Sequence, residues 1–503
     1  MGGNYYDVVV LGMDPGPLCA GALLSRRGFR VLVIGHHNAR ESYHCHGYRF
    51  VKRPFLLPGA SSPVISKIIQ ELSVGQLFSH TELPCDVKFQ VVQPSSRISV
   101  FEDAKQTAAE LVREFPEYAY KITDIMTEVG RYSGDFEKFI QNDLVIPPET
   151  FFERRDFSRS AVQNPFMGMP TIDVFEKLGV RGKFRDFLEI LPRFFGGGLA
   201  HLSPLVTARI IGAWLFDTRC LKDGLDGLRH LLCERIIEQG GDIQESYCAD
   251  GIEVKRGKVT GVRMSGRKET TATQMVLTDL RPSSLSSLVE PQAWTSRFKA
   301  LVEDDPDPLF GYALNLGVKK EVLPAGMADT VFLAMSAELG ADLLRIQVVP
   351  QDDPDRAGLN ISCAVPNSNE DILSGRLRDK ILDRMRWLIP YLDNYLEVIH
   401  SPFDGFGPVD LTGEADPAAP SVPHPEQIEN WLIRVVQSPG EVGIENVPHR
   451  TGIKGLLLSG SQVVSGLGVE TDFIAAWGVA KIAGKMDPSR QRIARSMRSK
   501  VEV

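Results

Sequence analysis

The stretch DVVVLGMDPGPLCAGALLSRRGFRVLVI, residues 7–34, decides the fold. A β-branched run from Val8 to Leu11 ends in Gly12 and predicts a strand buried on both faces. Gly12-Met13-Asp14-Pro15-Gly16-Pro17 predicts a turn that opens a helix, with proline in its first turn and Asp14 capping the helix or closing the turn. An apolar helix follows, then Gly28 and a second strand, VLVI. Strand, glycine turn, helix, strand is the order of a dinucleotide-binding unit, whose helix N-terminus faces a pyrophosphate. Where such a turn has its second and third glycines, this chain has Asp14 and Pro17.

The 503 residues are 43% hydrophobic and 24% charged, which gives length for more than one domain in an ordinary globular composition. A net charge of -8 gives no electrostatic reason to expect a nucleic-acid partner. No apolar run approaches the ~18 residues of a membrane span. The start, MGGNYYD, lacks the basic region of a signal peptide, and Tyr6 breaks the myristoylation pattern after Gly2. Seven scattered cysteines without a C-x-x-C pair suit a reducing compartment. A cytoplasmic protein is expected, with peripheral membrane contact through the basic tail SRQRIARSMRSK (489–500) as an option.

Further along, residues 61–75 begin with serines and a proline, a helix start. Residues 89–103 read as a hairpin around Pro94-Ser95-Ser96. Residues 104–190 are mostly helical with a break at Pro147-Pro148, and 225–239 form a helix ended by Gly240-Gly241. Short strands follow near Ile243, at 252–254, 259–262 and 275–277, and more across 308–366. An amphipathic helix is expected over 370–389, and an irregular Pro- and Ala-rich segment over 407–427. Residues 453–485 repeat the opening grammar of strand, glycine turn and helix.

Several of these stretches together resemble the phytoene desaturase branch of the amine oxidase-like flavoprotein superfamily. They are the opening unit, GYRF (47–50), the 89–103 hairpin, GGDIQESYCADGIEVKRGKVTGV (240–262) and GLLLSGSQVVSGLGVETDFIAAWGVAKIAG (455–484). The resemblance keeps its order over nearly the whole chain. It implies an α/β fold: a Rossmann-like FAD/NAD(P)-binding domain built from both chain ends, plus an inserted α+β substrate domain with an apolar tunnel. The dinucleotide domain is assigned to 1–75, 225–290 and 427–503, the helical part of the substrate domain to 76–224, and its sheet and helix to 291–426.

The resemblance also implies FAD as cofactor, with Gly12, Asp14, Gly16, Arg40, Ala249, Gly460, Ser461, Gly468 and Val469 at its contacts. Several of these depart from the family pattern. An aspartate held ~4 Å from a phosphate would be repelled by ~4 kcal/mol at an effective dielectric of 20. The second strand ends in Gly35-His36-His37 instead of an acid for the ribose, a charged hydrogen bond of ~1.5–3 kcal/mol. The family's Gly-Asp becomes Gly460-Ser461, and Glu470-Thr471 replace small residues after Gly466-Leu467-Gly468-Val469. The Asp14 and ribose losses alone would take a nanomolar site to ~10–100 μM.

His36, His37, His44 and His46 lie in one window, and an extended backbone would put His44 and His46 on one face. Three imidazoles there would suit a borderline metal, although the spacing matches no zinc pattern. The apolar stretch 194–216 reads as a buried helix, or as tunnel lining by the resemblance. No nucleophile–base–acid set stands out, so catalytic residues stay unassigned.

Three functions follow. The first is a phytoene desaturase-like protein with a degenerate FAD site, which binds an apolar isoprenoid- or lipid-like molecule or a protein partner without tight flavin. The Rab GDP-dissociation inhibitor family is an analogy, with a similar fold and work on prenyl groups without flavin chemistry. The second is an active FAD-dependent desaturase, isomerase or oxidase on an apolar substrate. The third is a metal-binding protein through the histidine cluster.

Overall fold

The computed structural model describes residues 5–36, 40–162, 173–197, 202–267, 269–305, 307–366, 370–413, 431–436 and 442–486. Its two large sheets hold seven and nine strands. The first runs in the order Asp242–Gln244, Val31–Ile34, Tyr5–Leu11, Thr271–Thr278, Lys258–Met264, Ala249–Lys255, with Leu456–Leu458 also paired to Thr271–Thr278. The pairs among Asp242–Gln244, Val31–Ile34, Tyr5–Leu11, Thr271–Thr278 and Leu456–Leu458 are all parallel. Strands from residues 5–34 thus share one sheet with a strand from residues 456–458, as a Rossmann-like domain assembled from both chain ends requires.

The apolar pattern explains these placements. Val8, Val9 and Val10 have no exposed surface, because strands flank them on both sides and the helix Pro15–Arg26 packs against their strand. The opening helix, Pro15–Arg26, is buried along nearly its whole length, which fits its all-round apolar sequence. It packs between the helices Gly224–Glu238 and Val469–Met486.

The nine-stranded sheet is antiparallel except where Thr330–Ala334 runs parallel to Val87–Gln93. One face, with Leu314, Leu316, Ile346 and Ile361, packs on the helix Arg376–Leu388. The other carries Phe89 and Phe332 towards the helices Gly182–Gly196 and Pro204–Phe216.

The expected hairpin is Val87–Gln93 with Ser96–Phe101, and the helical stretch breaks between Ile140 and Phe151 around the two prolines. The single helix expected over 370–389 is two, Glu370–Leu373 and Arg376–Leu388, because Gly375 between them adopts φ +76°. Most of the Pro- and Ala-rich segment and all of the basic tail lie outside the described residues. Among the described residues no helix is long and apolar enough to cross a membrane.

Candidate functional site

The opening turn works as the sequence implies in its backbone and differently in its side chain. Gly12 has φ +91°, and Asp14 stands at the N-cap with Pro15 at the first helical position. Asp14 occupies the expected cap position, but its carboxylate makes no capping hydrogen bond. Instead its Oδ1 lies 3.2 Å from Arg53 Nη2 and 3.6 Å from Arg229 Nη2. Both guanidinium groups also hold Glu41: Arg53 through Nε and Nη2, and Arg229 at 3.0 Å. Burial of Glu41 opposes its charge, but Arg53 and Arg229 outweigh it and hold the carboxyl down at about 2. Asp226 completes the group by accepting the Glu41 and Ser42 N–H groups, each at 2.9 Å.

Two more acids face this turn. Asp279 directly follows the strand Thr271–Thr278, at the carboxyl end of the parallel sheet where such folds bind ligands. It accepts the Gln462 N–H at 2.9 Å and the Ser461 hydroxyl at 3.1 Å. Asp472 lies in the first turn of the helix Val469–Met486. Both are half-buried. Confinement within the protein, and next the Asp14 charge, push Asp279 well above the carboxylate range and Asp472 up to about 8. The result is an acidic crevice at a helix N-terminus.

Gly16 and Gly460 explain how close the two chain ends come. A Cβ on Gly16 would meet Gly460 Cα at 2.4 Å, and one on Gly460 would meet the Asp279 carboxyl carbon at 2.8 Å. Their glycine identities therefore serve backbone packing. Gly12 and Gly468 differ, because a Cβ on either would point into open space. The crevice is open at those two positions and closed at Gly16.

At the end of the second strand, the segment beyond Gln244 crosses Gly35 so closely that a Cβ there would meet Glu245 O at 1.9 Å. The His36 N–H donates to Tyr247 O, and its Nδ1 accepts the Ala249 N–H at 3.1 Å. Where the family pattern puts an acid for ribose, this chain thus ties its own backbone to an imidazole. Arg40 is exposed on the following loop.

The histidines are not gathered. His44 lies in the strand Ser42–Cys45, while His46 (φ +46°) and Gly47 (φ +74°) form the tight turn into Tyr48–Val51. That turn breaks the extended backbone that would have set His44 and His46 on one face, and His46 faces Asp410 at 3.6 Å. His37 lies outside the described residues. Among the described residues no group of three or more His, Cys, Asp or Glu side chains is placed to hold a metal.

Val469 opens the closing helix, and Glu470 behind it is buried against Arg209. The pair is bidentate, at 2.9 and 2.8 Å, and Arg209 also reaches Ser133 and Glu137. Arg209 comes from the apolar helix Pro204–Phe216, so this buried pair joins that helix to the closing helix Val469–Met486. Further along that helix, Trp214 stacks on Phe195 at 4.5 Å and meets Phe332 and Phe89 edge-on at 5.4 and 5.7 Å.

Sequence reasoning missed Arg53, Arg229, Asp279 and Asp472. For Asp279 a signal existed, since an acid directly after a buried parallel strand falls at the ligand end of the sheet. The others come from separate elements and meet only in three dimensions.

No protein-family model matches the chain. A curated relative, 4,4'-diapophytoene desaturase (4,4'-diapolycopene-forming) from a Methylomonas species, is 22% identical over 296 residues, which is 57% of this chain and 56% of the relative. The match therefore spans little more than half of that protein's length. An oxidoreductase from Methanosarcina mazei superposes with a TM-score of 0.59 at 14% identity, over 94% of this chain and all of that one. Putrescine oxidase with bound putrescine gives 0.56 at 13%, over 96% and 99%. Rab GDI from Plasmodium falciparum gives 0.52 at 10%, over 95% and 98%. The chain is a distant homologue of phytoene desaturase with the fold of amine oxidases and Rab GDI.

Proposed function

We propose that this chain, a distant phytoene desaturase homologue on the amine oxidase fold, binds an apolar isoprenoid- or lipid-like molecule without tightly held FAD. It would act as a carrier of that molecule or as a partner subunit. The observation that supports this reading is the acidic crevice. Asp14, Asp279 and Asp472 converge on the helix N-terminus whose N–H groups would otherwise attract a pyrophosphate. The nearby cations, Arg53 and Arg229, are already engaged with Asp14 and Glu41. A dinucleotide diphosphate entering here would meet a helix N-terminus whose neighbouring arginines are already held by Asp14 and Glu41 and whose other two carboxyls are pushed up in pKa by confinement, so the residues present fit it poorly. The aromatic cluster around Trp214 and the apolar helix beside it are the part of the site suited to a hydrocarbon.

A second reading is an active FAD-dependent oxidoreductase on an apolar substrate. The open space before Gly12 and Gly468 favours it, since backbone there is accessible to a ligand. The visible absorption spectrum of freshly purified protein separates the two, repeated after denaturation and with added FAD. A colourless protein that leaves added FAD free is expected. Flavin released near one per chain would overturn the carrier reading.

A further inference from the structure

Buried arginines in this protein are paired with carboxylates: Arg209 with Glu470 at 2.8 Å, Arg229 with Glu41 at 3.0 Å, Arg434 with Asp305 at 3.0 Å. Arg345 is the exception. It is 5% exposed in the strand Leu343–Pro350, and no carboxylate pairs with it among the described residues. Among the described residues its guanidinium makes one hydrogen bond, a long one of 3.5 Å from Nη1 to Pro54 O, while Nε and Nη2 have no partner. Burial pushes its pKa down to about 9, so the guanidinium still carries its charge at neutral pH. A desolvated charge with open donors is costly, and an anion brought by a ligand would relieve that cost.

Its surroundings say what ligand. Arg345 Cζ stands 5.9 Å from the Trp214 ring centroid, and Phe332 pairs with Arg345 across the sheet. Phe332 in turn packs against Phe89, Phe194 and Phe195, an aromatic cluster with one cation at its edge. Pro54, which Arg345 touches, follows Arg53 of the acidic crevice, so the two sites adjoin. The guanidinium fork matches the planar or tetrahedral oxygens of a carboxylate or phosphate.

We propose that Arg345 recognises the head of an amphiphile: a carboxylate or phosphate whose hydrocarbon chain lies along the Trp214 and Phe332 aromatic cluster. This rests on the apolar-ligand reading above and narrows it to anionic lipids.

The test is a titration of intrinsic tryptophan fluorescence of the full chain with oleate, oleyl phosphate and oleyl alcohol, all below their aggregation limits. Oleate or oleyl phosphate should bind wild type about 10- to 100-fold more tightly than the alcohol. The stronger of the two tells a carboxylate source from a phosphate source. Arg345→Met should abolish the preference, bringing both anions to the affinity of the alcohol for the same variant, and Arg345→Lys should keep part of it. Equal affinity for all three in wild type, or a preference that survives Arg345→Met, overturns the proposal while the apolar-ligand reading stands. If none of the three binds, that reading falls and this proposal with it. Should Arg345→Met not fold, the wild-type ratio and the lysine variant decide.

Discussion

Asp14 Oδ1 lies 3.2 Å from Arg53 Nη2, an ion pair that ties the opening turn to a residue 39 positions further on. The pair keeps the carboxylate at the helix N-terminus while lowering its field there. Asp14→Gly should therefore raise FAD affinity, but by less than the unscreened repulsion would suggest. With Arg53 and Arg229 alongside, about 1 kcal/mol is the appropriate scale, or roughly fivefold. Flavin-fluorescence titration at 20 and 300 mM salt checks this, with the larger gain expected at low salt. No gain at either salt would mean that Arg53 and Arg229 already cancel the Asp14 charge where the phosphates would lie.

Asp472 makes a pH prediction. Its carboxyl is pushed up to about 8, by confinement first and the Asp14 charge second, with Arg53 opposing, whereas an unfolded aspartate titrates near its ordinary 3.8. Between those values the native state binds the extra proton, so this group's contribution to stability falls as pH rises from about 4 to about 8. His400 works in the opposite sense over part of the range. Burial, then Arg378 and His46, lower it from 6.5 to about 4, so its neutral native form gains stability as pH rises between those values. The contribution of Asp472 is isolated by comparison with Asp472→Asn. Urea denaturation at pH 5, 6, 7 and 8 should show the variant gaining on wild type at each step, by at most ~1.4 kcal/mol per pH unit and less because the group is half-buried. A constant difference across the series would refute the shift.

The Arg209–Glu470 pair should be sensitive to half-removal. Both side chains are 1% exposed. Glu470→Ala leaves a buried guanidinium with only Glu137 and Ser133, and about 3–5 kcal/mol of stability should be lost. Replacing both partners with apolar residues, Arg209→Met with Glu470→Leu, should cost clearly less than either single change. A double-mutant cycle by chemical denaturation measures the difference. Additive losses would show that the pair is not a coupled unit.

Strands and helices were legible because burial leaves a periodic mark. Val8 to Leu11, the helix Gly224–Glu238 and the strand–turn–helix from Leu456 to Met486 all follow from runs of apolar residues and glycine punctuation. The order of such units, with its resemblance to a known family, pointed to a sheet joined from both chain ends. The site was legible only where chemistry is local. Asp14 was visible as an acid in a glycine turn, but its partners, Arg53 and Arg229, lie 39 and 215 positions away by number. Gly16 looked like a displaced cofactor glycine, and nothing near it in sequence reveals the Gly460 backbone against which it packs. Arg345 sits among buried apolar residues of an ordinary strand, and what distinguishes it is the absence of an acid around its folded position among the described residues.

The last prediction concerns thiols. Cys220 Sγ donates to Cys85 Sγ at 3.8 Å, a contact made because the strand Thr218–Leu221 pairs with Glu82–Leu83. That hydrogen bond comes first among the causes that lower Cys85 to about 7; burial and Glu102 oppose it, and Lys88 and Arg219 assist. Cys220 is pushed up by the same contact, and burial raises Cys19, Cys233 and Cys363. Thiolate is the reactive form, so Cys85 should alkylate first, at a rate that rises through pH 7 instead of the ordinary 9. Iodoacetamide labelling of native protein across pH 6–9, mapped by peptide mass spectrometry, reads both the site and the profile. Cys220→Ala removes the donor and should move the Cys85 profile up by more than one pH unit, with about tenfold slower labelling at pH 7. Preferential labelling at half-buried Cys248, or a Cys85 profile indifferent to Cys220→Ala, would show that the sulfur–sulfur contact does not control reactivity.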